Sequence, residues 1–312
     1  MDNKQPTLES TLKSTDTEEF IDIHFYRPIG YRWALLFQKL GVTPNAVTIA
    51  SIFLGIGAGI CFYFDNIWIS LLGIFLLVWA NSYDSADGQL ARMTKQFSAL
   101  GRVLDGFAGN LWFMSIYIAI CLRLTPSFGW YIWIIALIAG YFHSKQASMA
   151  DYYRNIHLFF LKGKDGSELD NSLQLQEQYN TLTFKKHFIE KVFLLFYKDY
   201  THSQESWTPN FQSMRSLLNH EFEGVVPIQF QKDFRMKSLP LMKWTNILSF
   251  NTRAIVLFIS VLIKEPFFYF VFELTILNPI MMYMIYCHEN ICRSFIQKIN
   301  RGYYEEGRIV LD

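Results

Sequence analysis

Four stretches between Gly41 and Phe142 carry no Asp, Glu, Lys or Arg: Gly41–Phe64, Asn66–Tyr83, Gly106–Leu122 and Leu124–Phe142. A helix needs about 20 mostly apolar residues to cross the hydrocarbon core of a bilayer. The strands of a closed barrel would alternate in polarity, and these runs do not. Two further stretches follow late in the chain. Ala254–Ile263 is short and must borrow residues before Arg253, while Pro266–Cys287 is long enough but contains Glu273. The pattern predicts an all-α polytopic membrane protein with six transmembrane helices in three hairpins. Composition agrees: hydrophobic residues make up 51% of the 312, aromatics 17% and charged residues 18%, against roughly 25% charged in soluble domains. An intrinsically disordered chain is thereby excluded. Four cysteines without a C-x-x-C pair offer neither a disulfide framework nor a zinc site. A formal net charge of +1 gives no steer toward nucleic acid.

The boundaries carry their own marks. Thr43-Pro44 reads as an N-cap followed by proline at the first helical position. Asp65-Asn66, Thr125-Pro126-Ser127 and Lys264-Glu265-Pro266 are expected to turn the three hairpins, and they hold only Arg123 and Lys264 nearby. Arg27, Arg32, Lys39, Arg92, Lys95, Arg102 and Lys145 fall on the opposite side, which the positive-inside rule makes cytoplasmic. Residues 1–40 are read as a cytoplasmic N-terminus ending in an interfacial helix, Phe20–Leu40. Residues 41–150 hold spans one to four, 151–250 a helical cytoplasmic insert, and 251–312 spans five and six with a cytoplasmic C-terminus.

The segment Asp84-Ser85-Ala86-Asp87-Gly88-Gln89-Leu90-Ala91-Arg92, followed by Gly101 and Asp105, concentrates the chemistry. Asp84 and Asp87 share one helix face, with Ala91 a turn further on. Acids at the end of an apolar span are costly and mark function. Carboxylates aimed at one point need a cation between them, and oxygen donors favour Mg²⁺, Mn²⁺ or Ca²⁺ over zinc. Asp84, Asp87 and Asp105 are therefore the expected metal ligands. Gly88 and Ala91 remove bulk beside them, and Arg92 offers a guanidinium suited to phosphate oxygens. Metal, space and cation together describe a diphosphate site.

This segment resembles the signature of the CDP-alcohol phosphatidyltransferase family, D-x-x-D-G-x-x-A-R-x(8)-G-x-x-x-D-x-x-x-D, through Asp84, Asp87, Gly88, Ala91, Arg92, Gly101 and Asp105. Gly41-Val42-Thr43-Pro44-Asn45-Ala46-Val47-Thr48 looks like the family's G-x-T-P-N-x-x-T start of its first span. The resemblance implies transfer of a substituted phosphate group from a CDP-linked donor to an alcohol, with release of CMP and with Mg²⁺ or Mn²⁺ as cofactor. Asn45 and Thr48 would help hold the nucleotide. It further implies a homodimer in a bacterial inner membrane, its site facing the cytoplasm, with CDP-diacylglycerol as the expected donor; a CDP-linked headgroup given to a lipid alcohol is the variant.

The signature's last aspartate, which the family uses as metal neighbour and general base, falls on Gly109. Asn110 is about 100° further around the helix and does not substitute. Three readings follow: a base from elsewhere, with Asp151 and His143 as candidates beside Asp105; activation by metal alone; or binding of a CDP compound without turnover. Arg253 is read either as a ligand for an acceptor phosphate or headgroup or as a snorkelling residue at a short span's end. Glu273 suggests a buried pair with a neighbouring helix, and His288 an interfacial residue.

Overall fold

The computed structural model describes Leu8, Ser14 and residues 16–163, 169–185, 187–223 and 225–304, without the side chains of Ala99, Leu100, Arg102, Val103, Asp105 and Ile189. Every regular element among them is helical. A π-helical turn, Asp22–Tyr26, leads into α1 (Arg27–Leu40), α2 (Pro44–Tyr63), α3 (Ile67–Thr94), α4 (Ala99–Phe128) and α5 (Tyr131–Lys162). Shorter helices follow: α6 (Ser172–Thr181), α7 (Phe188–Ser206), α8 (Pro209–Phe222), α9 (Ile228–Ser238) and α10 (Met242–Ile247). The last are α11 (Phe250–Leu262), α12 (Phe267–Phe272) and α13 (Asn278–Asn300), with a second π turn, Glu273–Leu277, between α12 and α13. The chain divides into two compact units, Met1–Ser144 with Phe250–Ile276, and Lys145–Ser249 with Leu277–Asp312.

In the first unit the sequence marks act as caps. Thr43 accepts from the Ala46 amide, and Asn66 Oδ1 accepts from the Trp68 amide at 2.9 Å. Gly41, at φ 70°, reverses the chain after α1; this left-handed conformation costs glycine little. Small residues let the helices approach: a Cβ on Gly55 of α2 would lie 2.0 Å from the Trp112 ring of α4. The core gathers Phe62, Leu77, Trp112, Ile116, Tyr269 and Phe270. Arg123, near the end of α4, and Lys264, in the turn after α11, both reach Asp65, at 2.8 and 3.5 Å, so the three turns lie at one end of the unit. Phe20–Leu40 is helical throughout, and its α1 portion rests on α3, with Trp33 against Trp79 and Tyr83.

Among the described residues, five helical stretches are long and apolar enough to cross a membrane: Pro44–Tyr63, Ile67–Thr94, Gly106–Phe128, Ile228–Leu262 and Phe267–Asn300. The stretch Leu124–Phe142, expected as a fourth span, is divided at Gly129–Trp130. Pro126 sits inside the last turn of α4 rather than in the hairpin turn. The reversal comes instead at Gly129, whose φ is positive. The apolar part of α5 accordingly runs only from Tyr131 to Phe142 before His143 and Lys145.

The second unit is a packed helical assembly. Phe160, Phe230, Phe234, Phe295 and Tyr304 form an aromatic cluster. Glu289 of α13 caps α8 by accepting from the Asn210 amide at 2.6 Å and the Phe211 amide at 3.2 Å. His288 is 1% exposed among Tyr153, Phe211 and Phe234, which corrects the expectation of an interfacial residue.

Candidate active site

The last turns of α3 have two faces. Ala86 and Leu90, four apart, pack with Ala34 and Val47, while Gln89 Nε2 donates to the Arg27 carbonyl at 3.1 Å. A Cβ on Gly30 of α1 would stand 2.8 Å from Ser85 Oγ, so α1 lies tightly on this side. At 100° per residue, Asp84, Asp87, Gly88 and Ala91 form the opposite face. Asp87 is only 4% exposed and Asp84 is half-buried. The space beside Gly88 is bounded by the Arg92 guanidinium, whose Nη1 lies 3.6 Å from where a Cβ would be. An oxygen-only donor pair beside a guanidinium fits a hard divalent ion bridging to phosphate oxygens.

The start of α4 is tied to the start of α2. Ser98 Oγ accepts from the Gly101 amide at 2.9 Å and donates to Asn45 Oδ1 at 3.1 Å. A Cβ at position 101 would fall 2.6 Å from Asn45 Oδ1. The motif glycine thus keeps the Asn45 amide in place. Gly101→Ala is expected to displace Asn45 and lower turnover by up to about 10²-fold, the scale of a 1 Å misplacement, with the thermal midpoint little changed; steady-state kinetics beside a melting curve check this. Thr48 is buried, and its hydroxyl donates to the Pro44 carbonyl within its own helix. Asp105 lies on α4 with its side chain outside the described residues. A Cβ at Gly109 would meet nothing within 4 Å.

The other candidates separate. Asp151 belongs to the second unit, is exposed, and accepts from Asn155 Nδ2 at 3.2 Å. It borders a small polar cavity with Asp170, Tyr197 and Thr201. Burial pushes the neighbouring Tyr152 phenol up to about 12.

Arg253 and His143 meet inside the first unit. Arg253 is 1% exposed and Glu273 fully buried, paired at 2.6 Å between Nη1 and Oε1. Arg253 therefore reaches inward to an ion pair instead of snorkelling. His143 Nδ1 lies 3.0 Å from Glu273 Oε1 and 3.0 Å from Arg253 Nη1. Tyr269 donates to Oε1 at 2.8 Å, and Tyr117 donates to Oε2. Sequence reasoning anticipated a buried partner for Glu273 but missed Tyr117 and Tyr269, which carry no signal among so many aromatics. Among the described residues, His288, Glu289 and Cys292 also bring potential metal-ligand atoms within 4.8 Å of one another, with both Glu289 oxygens already accepting from the start of α8.

No curated protein and no solved structure matches the chain. Residues 41–150, which run from the start of α2 into α5 and carry the Asp84–Asp87 face, match the model of the CDP-alcohol phosphatidyltransferase family.

Proposed function

We propose that the protein transfers a substituted phosphate group from a CDP-linked donor to an alcohol acceptor and releases CMP, as a step of phospholipid synthesis. The observation that carries this reading is the α3 face on which Asp84, Asp87, Gly88 and Ala91 stand together beside the Arg92 guanidinium. Asp84 and Asp87, with Asp105 from α4, would hold Mg²⁺ or Mn²⁺. When bound, the cation draws charge from the diphosphate and makes CMP a better leaving group. Arg92 adds a second positive contact to the phosphate oxygens, and Asn45 orients the nucleotide from the start of α2. Catalysis on this scheme is positioning plus charge stabilisation. A homodimer in a bacterial inner membrane, with the motif on the cytoplasmic side, completes the proposal.

Gly109 favours a second reading, a protein that binds a CDP compound without turning it over, because position 109 offers no carboxylate. Release of CMP by the full chain in detergent separates the two. The protein, stripped with EDTA, receives CDP-diacylglycerol with water-soluble alcohols, or CDP-choline and CDP-ethanolamine with dioleoylglycerol. Release that returns with Mg²⁺ or Mn²⁺ is the expected result. Saturable CDP binding without release from any pairing, and release created by Gly109→Asp, would establish the binder instead.

A further inference from the structure

We propose that His143 takes the acceptor's proton in place of the carboxylate missing at position 109, and that the acceptor hydroxyl is carried by a membrane lipid lodged in the cavity beside it. This rests on the transferase reading above.

The register of α4 leads to His143. Positions 105, 109, 113 and 117 recur every four residues, so each adjoins the next with a drift of about 40° around the helix. The signature's aspartates ride on this row. At Gly109 the row is open, since a Cβ there meets nothing within 4 Å. One turn further, the Phe113 ring centre lies 4.4 Å from that of His143. A turn beyond that, the Tyr117 hydroxyl stands 3.2 Å from His143 Nδ1. The imidazole therefore lies beside α4 at the level of positions 113 to 117, about 6–12 Å along the axis from position 109 at 1.5 Å per residue.

The cluster around the ring bears on which nitrogen is basic. Arg253 Nη1 has Glu273 Oε1 as its nearer acceptor, at 2.6 Å. We assign the ring proton to Nδ1, 3.0 Å from the same carboxylate and donating there, with the lone pair on Nε2. Tyr117, Tyr269 and Arg253 hold the carboxylate, and Glu273 opens a π-helical turn, a local irregularity that recurs at functional sites. A charged cluster this deep in an apolar bundle is costly, and function is its usual reason.

The cavity supplies the substrate class. His143 and Asn110 stand in the wall of a space of about 800 Å³ bounded by Phe113, Met114, Trp133 and Leu137 among others. Its size is that of a ligand pocket. A water-soluble polyol would lose its hydration on entering such a wall, whereas a lipid brings an apolar body and one hydroxyl. The donor is then a CDP-linked headgroup, the reverse of the CDP-diacylglycerol expected from sequence. In the step, the lipid O–H proton passes to Nε2 as its oxygen forms a bond to the phosphorus bearing the headgroup. The bond from that phosphorus to the oxygen shared with CMP breaks, and CMP leaves with the electron pair. Glu273 balances the imidazolium until the proton is lost to water.

The test uses the full chain in mixed micelles of dioleoylglycerol with CDP-choline or CDP-ethanolamine and Mg²⁺. His143→Ala is expected to lower kcat by about 10²-fold or more, the usual contribution of a general base, with the donor KM nearly unchanged. Added imidazole should restore turnover, and pyrazole, equal in size but scarcely basic, should not. His143→Gln keeps a donor toward Glu273 without a basic nitrogen and should be as inactive while melting like the wild type. Full activity in either variant, or equal rescue by both azoles, overturns the proposal. Wild-type turnover confined to CDP-diacylglycerol with glycerol 3-phosphate also overturns it and leaves the transferase reading standing. No CMP from any pairing removes both.

Discussion

Asp87→Asn is expected to reduce metal-dependent CMP release by about 10²- to 10³-fold, the range seen when one preorganised charge-stabilising group is removed, while the folded protein survives. Asp87 is 4% exposed on a helix whose opposite side is fixed by Ala86 and Leu90 against Ala34 and Val47, so an isosteric amide preserves the packing. The change removes the negative charge that would hold the cation and, with it, the repulsion between Asp87 and Asp84 when no cation is bound. Thermal unfolding gives a readout independent of turnover. A cation that binds only the folded state raises the midpoint by mass action. Mg²⁺ should therefore stabilise the wild type, and the increment should vanish in Asp87→Asn. An undiminished Mg²⁺ increment in the variant would remove Asp87 from the metal site, whatever the activity did.

Local chemistry made much of this legible in advance. Thr43, Asn66 and Gly41 mark helix ends through their own hydrogen bonds or backbone conformation, and such effects reach only a few residues. Asp84 and Asp87 belong to one helical turn, so their shared face follows from spacing alone. What escaped depended on partners distant in sequence. Tyr117 meets Glu273 across 156 positions, and no periodicity marks one tyrosine out of 17. His288 looked interfacial because it follows an apolar run, yet aromatic rings of the second unit enclose it. Pro126 misplaced the second hairpin turn because α4 runs through it to Phe128 and Gly129 supplies the reversal. The vacancy at Gly109 was visible as a departure from a motif; that the same helix leads to an imidazole required the fold.

The buried pair beside that imidazole yields the largest expected effect on stability. Arg253→Met leaves the Glu273 carboxylate, wholly buried, with neutral donors alone, and Glu273→Gln leaves a guanidinium that is 1% exposed without its countercharge. Each single change is expected to cost about 3–5 kcal/mol, as when one partner of a buried ion pair is removed. The double variant Arg253→Met/Glu273→Gln removes both charges and keeps an amide oxygen as acceptor for Tyr117 and Tyr269. It should be more stable than either single variant, with a coupling well above the few tenths of a kcal/mol expected for independent sites. Melting curves of the four proteins in one detergent measure the cycle; additive losses would show that the two charges are held by other neighbours. CMP release then distinguishes packing from chemistry. A double variant that is folded yet turns over slowly would show that Glu273 serves His143 as well as the bundle. Wild-type turnover in the double variant would confine the pair to structure, since a neutral amide cannot balance an imidazolium as a carboxylate does.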